Sequence, residues 1–169
     1  MSDGELCAMT AGEMMRRVQA GEFSRRTLIE AHLARIEQCN GALNAIVERR
    51  DEEALDEADA ADRDAANRAH LPLDGVPISI KDFFDVAGMK HTEGVRAMAQ
   101  RRSPKDEIAI ARLRAAGAII IGKCNQPDFQ IRWNTVNELY GATRNPRNLG
   151  CTAGGSSGGD AAAVAAGMA

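Results

Sequence analysis

Ala118-Ile119-Ile120-Ile121 stands directly behind Gly117, at the end of a stretch with helical patterning. Three β-branched residues in a row offer no polar side for water, so the strand they form must be covered on both faces. That requirement points to a parallel sheet between helical layers. Val76-Pro77-Ile78-Ser79-Ile80 reads as a second strand, with its proline near the start, where a missing N–H is tolerated. Between the two, Ser103 to Gly117 reads as a helix with Asp106 as N-cap. Ile108, Ala111 and Ala115 form its core face, and Gly117 lies just past its end. An alanine-rich helix from Asp160 follows. Strand, helix, strand and helix in that order give an α/β class.

The first 70 residues read as helical. Thr10 and Glu13 have capping-box spacing, and the helix they open stops at Gly21. Ser24 caps a second helix with Leu28, Ile29, Leu33 and Ile36 at helical spacing, ending at Asn40-Gly41. Leu43 to Val47 is a short extended piece. Asp51 to Ala69 is a third helix with alanines at 54, 58, 61 and 65 along one side, and its eight acids read as a solvated face. The expected organisation is a helical segment over 1–70 and an incomplete α/β core over 71–169, within one domain. No internal repeat is present.

Composition narrows the function classes. Lys and Arg total 21 against 24 Asp and Glu, a formal charge of −3. Residues 1–70 carry 9 basic and 15 acidic side chains, and the remainder 12 and 9, so neither part has a nucleic-acid footprint. No apolar run approaches the length of a membrane span, and no basic-then-apolar leader opens the chain. The four cysteines form no CxxC pair, and the expectation is reduced thiols in the cytoplasm, with no metal and no cofactor. Gly117 to Cys124 matches the phosphate-loop spacing GxxxxGK, but its four intervening residues are the buried strand itself. Cys124 also stands where a Mg²⁺-holding hydroxyl is needed.

Two features carry chemistry. Gly154-Gly155-Ser156-Ser157-Gly158-Gly159-Asp160 combines four glycines with two serines directly before a helix. Such a loop permits close approach by other groups, and the helix N-terminus behind it favours an anion or developing negative charge. A flexible linker is the alternative. Lys81 closes the Val76–Ile80 strand on the face of Ser79, opposite Val76, Ile78 and Ile80. A lysine covered there loses hydration and becomes easier to deprotonate, which suits it to act as a base. The alternative is a lysine that reaches water or pairs with Asp82.

Together these motifs resemble the amidase signature family over nearly the whole chain. The resemblance rests on "GALNAIVE", on Gly75-Val76-Pro77-Ile78-Ser79-Ile80-Lys81-Asp82, on "ARLRAAGAIIIGKCNQPDF", on "NELYGATRNPRN" and on "GGSSGGDAAAVAAGMA". It implies the front portion of an α/β/α sandwich with a mixed central sheet. It also implies hydrolysis of a carboxylic amide through a Ser-Ser-Lys triad. The family's lysine falls on Lys81, and its bridging serine, held by a cis peptide bond, falls on Ser156. Ser157 and the N–H groups of Gly154, Gly155, Gly158 and Gly159 brace the geometry, and Gln130 falls where relatives line the acyl pocket. The family's nucleophile lies about two dozen residues beyond the bridging serine, past Ala169.

The resemblance therefore leaves two expectations. The chain is part of an amidase and inactive alone, acting on a small-molecule amide, with a homo-oligomer formed through an exposed sheet edge. Alternatively, it is a non-catalytic module that binds a partner. A local nucleophile at Ser157 or Cys151 is the minor third idea.

Overall fold

A computed structural model describes all 169 residues. The helices are α1 (Asp3–Leu6), α2 (Ala11–Gln19), α3 (Arg25–Leu43), α4 (Asp51–Arg63), α5 (Ala65–Arg68), α6 (Ile108–Ala115) and α7 (Gly158–Ala165). The strands are β1 (Ile46–Arg49), β2 (Pro77–Lys81), β3 (Ile119–Cys124), β4 (Val136–Asn137), β5 (Gly141–Ala142), β6 (Arg144–Asn145) and β7 (Asn148–Thr152). Two 3-10 turns occupy Arg96–Met98 and Asp128–Gln130.

The main sheet has the order β1-β3-β2. β2 runs parallel to β3 and β1 antiparallel to it, so the sheet is mixed. The β-branched run forms the central strand, and all six residues of β3 are buried. Ile119 and Ile121 face a core built with Ile29, Leu33 and Ile36 of α3, Ala54 and Ala58 of α4, and Ala162, Ala163 and Ala166 at α7. Ile120 faces the other way, with Ile80, Val86, Met89 and Ile110 of α6. Each face of the strand thus meets a helical layer, and the first core joins residues from both the 1–70 and 71–169 segments. Two small antiparallel ribbons, β4–β5 and β6–β7, lie between β3 and α7 in sequence.

Several local expectations need correction. Asn40 does not end its helix. Its side-chain oxygen accepts the N–H groups of Ala45 and Ile46, while its amide donates to the Ile46 carbonyl. The helix runs to Leu43, and Asn44, at φ 51°, turns the chain into β1, displacing the extended piece to Ile46–Arg49. The third helix breaks at Asp64, whose carboxylate and carbonyl both engage Asn67 and start a separate short turn. Ala65 is exposed accordingly. The acid-rich face is only partly solvated. Asp62 accepts the N–H groups of Arg25 and Arg26 and so caps α3, Asp59 pairs with Arg26, and Glu57 holds Arg50 and Arg114.

The helix placed over Ser103–Gly117 begins only at Ile108, capped by Glu107 without a side-chain bond. Asp106 instead accepts the Ala87 N–H at 2.7 Å and pairs with Arg114. That engagement fixes the helix phase, so Ile110 and Leu113 turn inward, whereas Ile108, Ala111 and Ala115, the expected core face, are exposed, Ile108 to 72%. The last helix begins at Gly158, two residues before Asp160.

His32 on α3 has no exposed surface, and neither ring nitrogen has a hydrogen-bond partner. Burial pushes its pKa down to about 4. The unfolded chain then binds the proton more readily than the folded one, so acid destabilises the fold as pH falls from the ordinary histidine value toward 4. The expected loss is about 3 kcal/mol at pH 4 relative to neutrality, beyond the carboxylate contribution. Urea unfolding of the wild type and of His32→Leu at both pH values checks this. The leucine variant should lose less stability on acidification by about that amount.

Candidate active site

Lys81 is the last residue of β2 and stands in register with Cys124 of β3. Strand alternation turns Ile80 into the core shared with Ile120 and turns Lys81 toward α7. The lysine does not pair with Asp82, and it does not reach into water. Asp82 points the other way, where it accepts from the Thr92 N–H and hydroxyl and lies 3.5 Å from the buried Lys123 ammonium. The Lys81 Nζ donates instead to Ser156 Oγ at 2.9 Å and Ser157 Oγ at 3.1 Å. Only 9% of Lys81 is exposed, and this burial lowers its pKa, against the opposing pull of Asp160 and Glu93.

The glycine-serine segment is an ordered structure. Gly154 takes φ +82°, a conformation that other residues adopt only under strain, and its carbonyl accepts the Thr135 hydroxyl at 2.9 Å. The Gly155–Ser156 peptide is cis. A Cβ at Gly155 would meet the Arg132–Asn134 backbone at 2.8 Å, so that segment forms the floor of the loop. Thr135 Oγ1 also accepts the Gly158 N–H at 3.0 Å. The Gly159 N–H goes to the Asn125 carbonyl.

These bonds correct one expectation. The first N–H groups of α7 are occupied by Thr135 and Asn125, so they do not form an open cradle for an anion. They serve to anchor the loop against β3. Thr135 and Asn125 were not legible as parts of the site, since neither lies near the loop in sequence.

Gln130 sits in the 3-10 turn at φ 63°, directly after Phe129 at φ 47°. The Phe129 N–H donates to the Glu93 carbonyl, which ties this turn to the loop following β2. The Gln130 side chain makes no hydrogen bond to Lys81 or either serine. Cys151 is exposed on β7. The phosphate-loop spacing over 117–124 is carried by β3. Lys123 is completely buried there and donates to the carbonyls of Phe84 and Lys90. No helix is long and apolar enough to cross a membrane.

This is a buried amine held by two serine hydroxyls, at the end of a strand and the start of a helix. The family model for amidases matches residues 27–169. The chain belongs to the amidase family. It is 41% identical over 162 residues to a glutamyl-tRNA(Gln) amidotransferase subunit of Geobacter sulfurreducens, covering 96% of this chain and 33% of that one. It is 40% identical over 166 residues to an indoleacetamide hydrolase of Bradyrhizobium diazoefficiens, covering 98% and 32%. The solved structure of 6-aminohexanoate cyclic dimer hydrolase with its substrate superposes with a TM-score of 0.89 at 36% identity, covering 98% of this chain and 33% of that chain. This amidase chain therefore spans about a third of the length of the relatives it matches, and its mixed sheet with flanking helices is the front portion of their α/β fold.

Proposed function

We propose that this chain carries the base half of a Ser-Ser-Lys amidase site. Lys81 is the base and Ser156 the bridging serine, and a nucleophilic serine is supplied from outside these 169 residues. The observation that carries this reading is the 2.9 Å contact between a buried lysine, whose pKa that burial lowers, and a serine hydroxyl held in an anchored loop. A neutral Lys81 accepts the Ser156 hydroxyl proton as Ser156 accepts the proton of the nucleophile. The nucleophile attacks the amide carbonyl, the relay returns the proton to the departing nitrogen, and water releases the acid. The products are a carboxylic acid and ammonia or an amine. One relative carries the name indoleacetamide hydrolase, which accords with this reading.

Ser157, Gly154, Gly155, Gly158 and Gly159 hold the loop in this arrangement, and Gln130 lines the acyl side. The substrate is a small-molecule amide and the setting cytoplasmic. The isolated 169-residue chain is inactive. The test is ammonia release from a panel of primary amides by the protein that carries this chain. Ser156→Ala should lower the rate by about 10²- to 10⁴-fold. An unchanged rate in that variant would remove Ser156 from the relay.

A second reading has its own support. Phe129, Ile131 and Trp133 are 54%, 76% and 91% exposed within and just before the segment that floors the loop, and β1 and β2 are the sheet edges. Apolar side chains grouped at that exposure mark a contact surface, and unpaired edges favour further strand pairing. The isolated chain accordingly binds a partner or a second copy of itself there.

A further inference from the structure

Asp160 belongs to no part of the relay described above, yet it stands on the helix that the serine loop enters. It occupies the first turn of α7, three residues after Ser157, and α7 packs against β2 and β3, the strands on which Lys81 and Cys124 stand in register. Its Oδ2 is buried and has no hydrogen-bond partner. Burial raises the pKa of this carboxyl, while its own backbone N–H, the Cys124 thiol and the Lys81 charge act in the opposite direction. The neighbouring charges are engaged elsewhere. Lys123 is held by Asp82 and two carbonyls, Glu48 of β1 binds the Lys90 N–H and Arg102, and Arg35 donates to the Ala166 carbonyl at the far end of α7. Of the acids acting on Lys81, Asp160 has the larger influence and Glu93 the smaller.

We propose that Asp160 is a positioning residue, the counter-charge for Lys81 when that lysine holds the relay proton. In the step concerned, the Ser156 O–H bond breaks and an N–H bond forms at Lys81 Nζ, leaving an ammonium. The hydroxyls of Ser156 and Ser157 are its only hydrogen-bond partners. A buried cation needs compensating charge, and a carboxylate with a free buried oxygen supplies it without forming or breaking a bond. The role of Asp160 in turnover rests on the amidase reading, whereas its effect on Lys81 does not.

The experiment separates the two. The chain has four lysines, at 81, 90, 105 and 123. Selective ¹³Cε labelling of lysine follows each amine by NMR across a pH titration, with Lys81→Met assigning the resonance. In Asp160→Asn the Lys81 midpoint should fall by about one pH unit, the effect of losing an opposite charge at close range. Asp160→Glu should restore it, while Lys90, Lys105 and Lys123 keep their midpoints and thereby report an intact fold. In the unaltered protein the ¹³Cγ resonance of Asp160 should show a step as Lys81 titrates. This second readout decides the matter if Asp160→Asn does not fold. A Lys81 midpoint unmoved in a folded Asp160→Asn, or an Asp160 resonance blind to Lys81, would overturn the proposal. Absence of amide hydrolysis by the longer protein that carries this chain, with the Lys81 shift intact, would overturn the amidase reading alone.

Discussion

Replacing Lys81 with methionine is expected to lower kcat/KM for amide hydrolysis by at least about 10³-fold, with folding stability unchanged or slightly raised. Methionine has similar reach and fills the same space, but it has no nitrogen to accept the Ser156 proton. It also removes the cost of burying an amine that only two serine hydroxyls contact. Arginine should fail as completely. A guanidinium remains charged at any working pH and cannot serve as the base, so Lys81→Arg distinguishes a requirement for a neutral amine from one for positive charge. Steady-state kinetics of the protein carrying this chain, alongside urea unfolding of each variant, measures both effects. Loss of activity together with loss of stability would mean that Lys81 holds the fold and serves no relay.

Gly159→Ala should be the most damaging single methyl group in the loop, at about 3 kcal/mol or more of stability. A Cβ there would lie 2.4 Å from the Asn125 carbonyl oxygen, 2.6 Å from its nitrogen and 2.9 Å from the Ala45 carbonyl oxygen. All three are backbone atoms fixed by the sheet and by Asn40, so none can swing aside as a flexible side chain would. Relief requires α7 to lift. That breaks the Gly159 N–H bond to Asn125, draws Ala162, Ala163 and Ala166 out of the core, and carries both serines away from Lys81. Gly154→Ala is the contrast. No atom lies within 4 Å of the added carbon, so only the left-handed conformation is penalised, at about 1 kcal/mol. Denaturation midpoints of the two variants should differ in that order, and equal midpoints would mean that α7 is not pinned at Gly159.

The patterns most visible in the sequence were those decided by burial. A β-branched run without alternation required two covered faces, and β3 has them. The phase of β2 followed from period-two alternation, which put Lys81 on the face of Ser79, and the Lys81 amine meets the two serines at the start of α7 there. The N-caps at Thr10 and Ser24 were local, with donor and acceptor three residues apart. Where expectations failed, a distant partner had taken the group that local pattern claimed. Asn40 has the composition of a helix stop, yet its amide serves the following strand. Asp106 has the composition of a cap, yet it is bound to Ala87 and Arg114, which rotates the helix and exposes Ile108. The α7 N–H groups looked free because Thr135 and Asn125 are remote in sequence. The same holds for Asp160, whose importance lies in the Lys81 charge across the gap between helix and sheet.

The most direct test of the central claim is the pH dependence of kcat/KM, measured in parallel for the wild type and Lys81→Met. The wild type should show an acid limb governed by one ionisation below the ordinary lysine value of about 10.4, because the amine must be neutral to accept the proton. That limb should vanish from the residual activity of Lys81→Met. An acid limb of the same midpoint in both proteins, or a variant as active as the wild type, would contradict the assignment of Lys81 as the base.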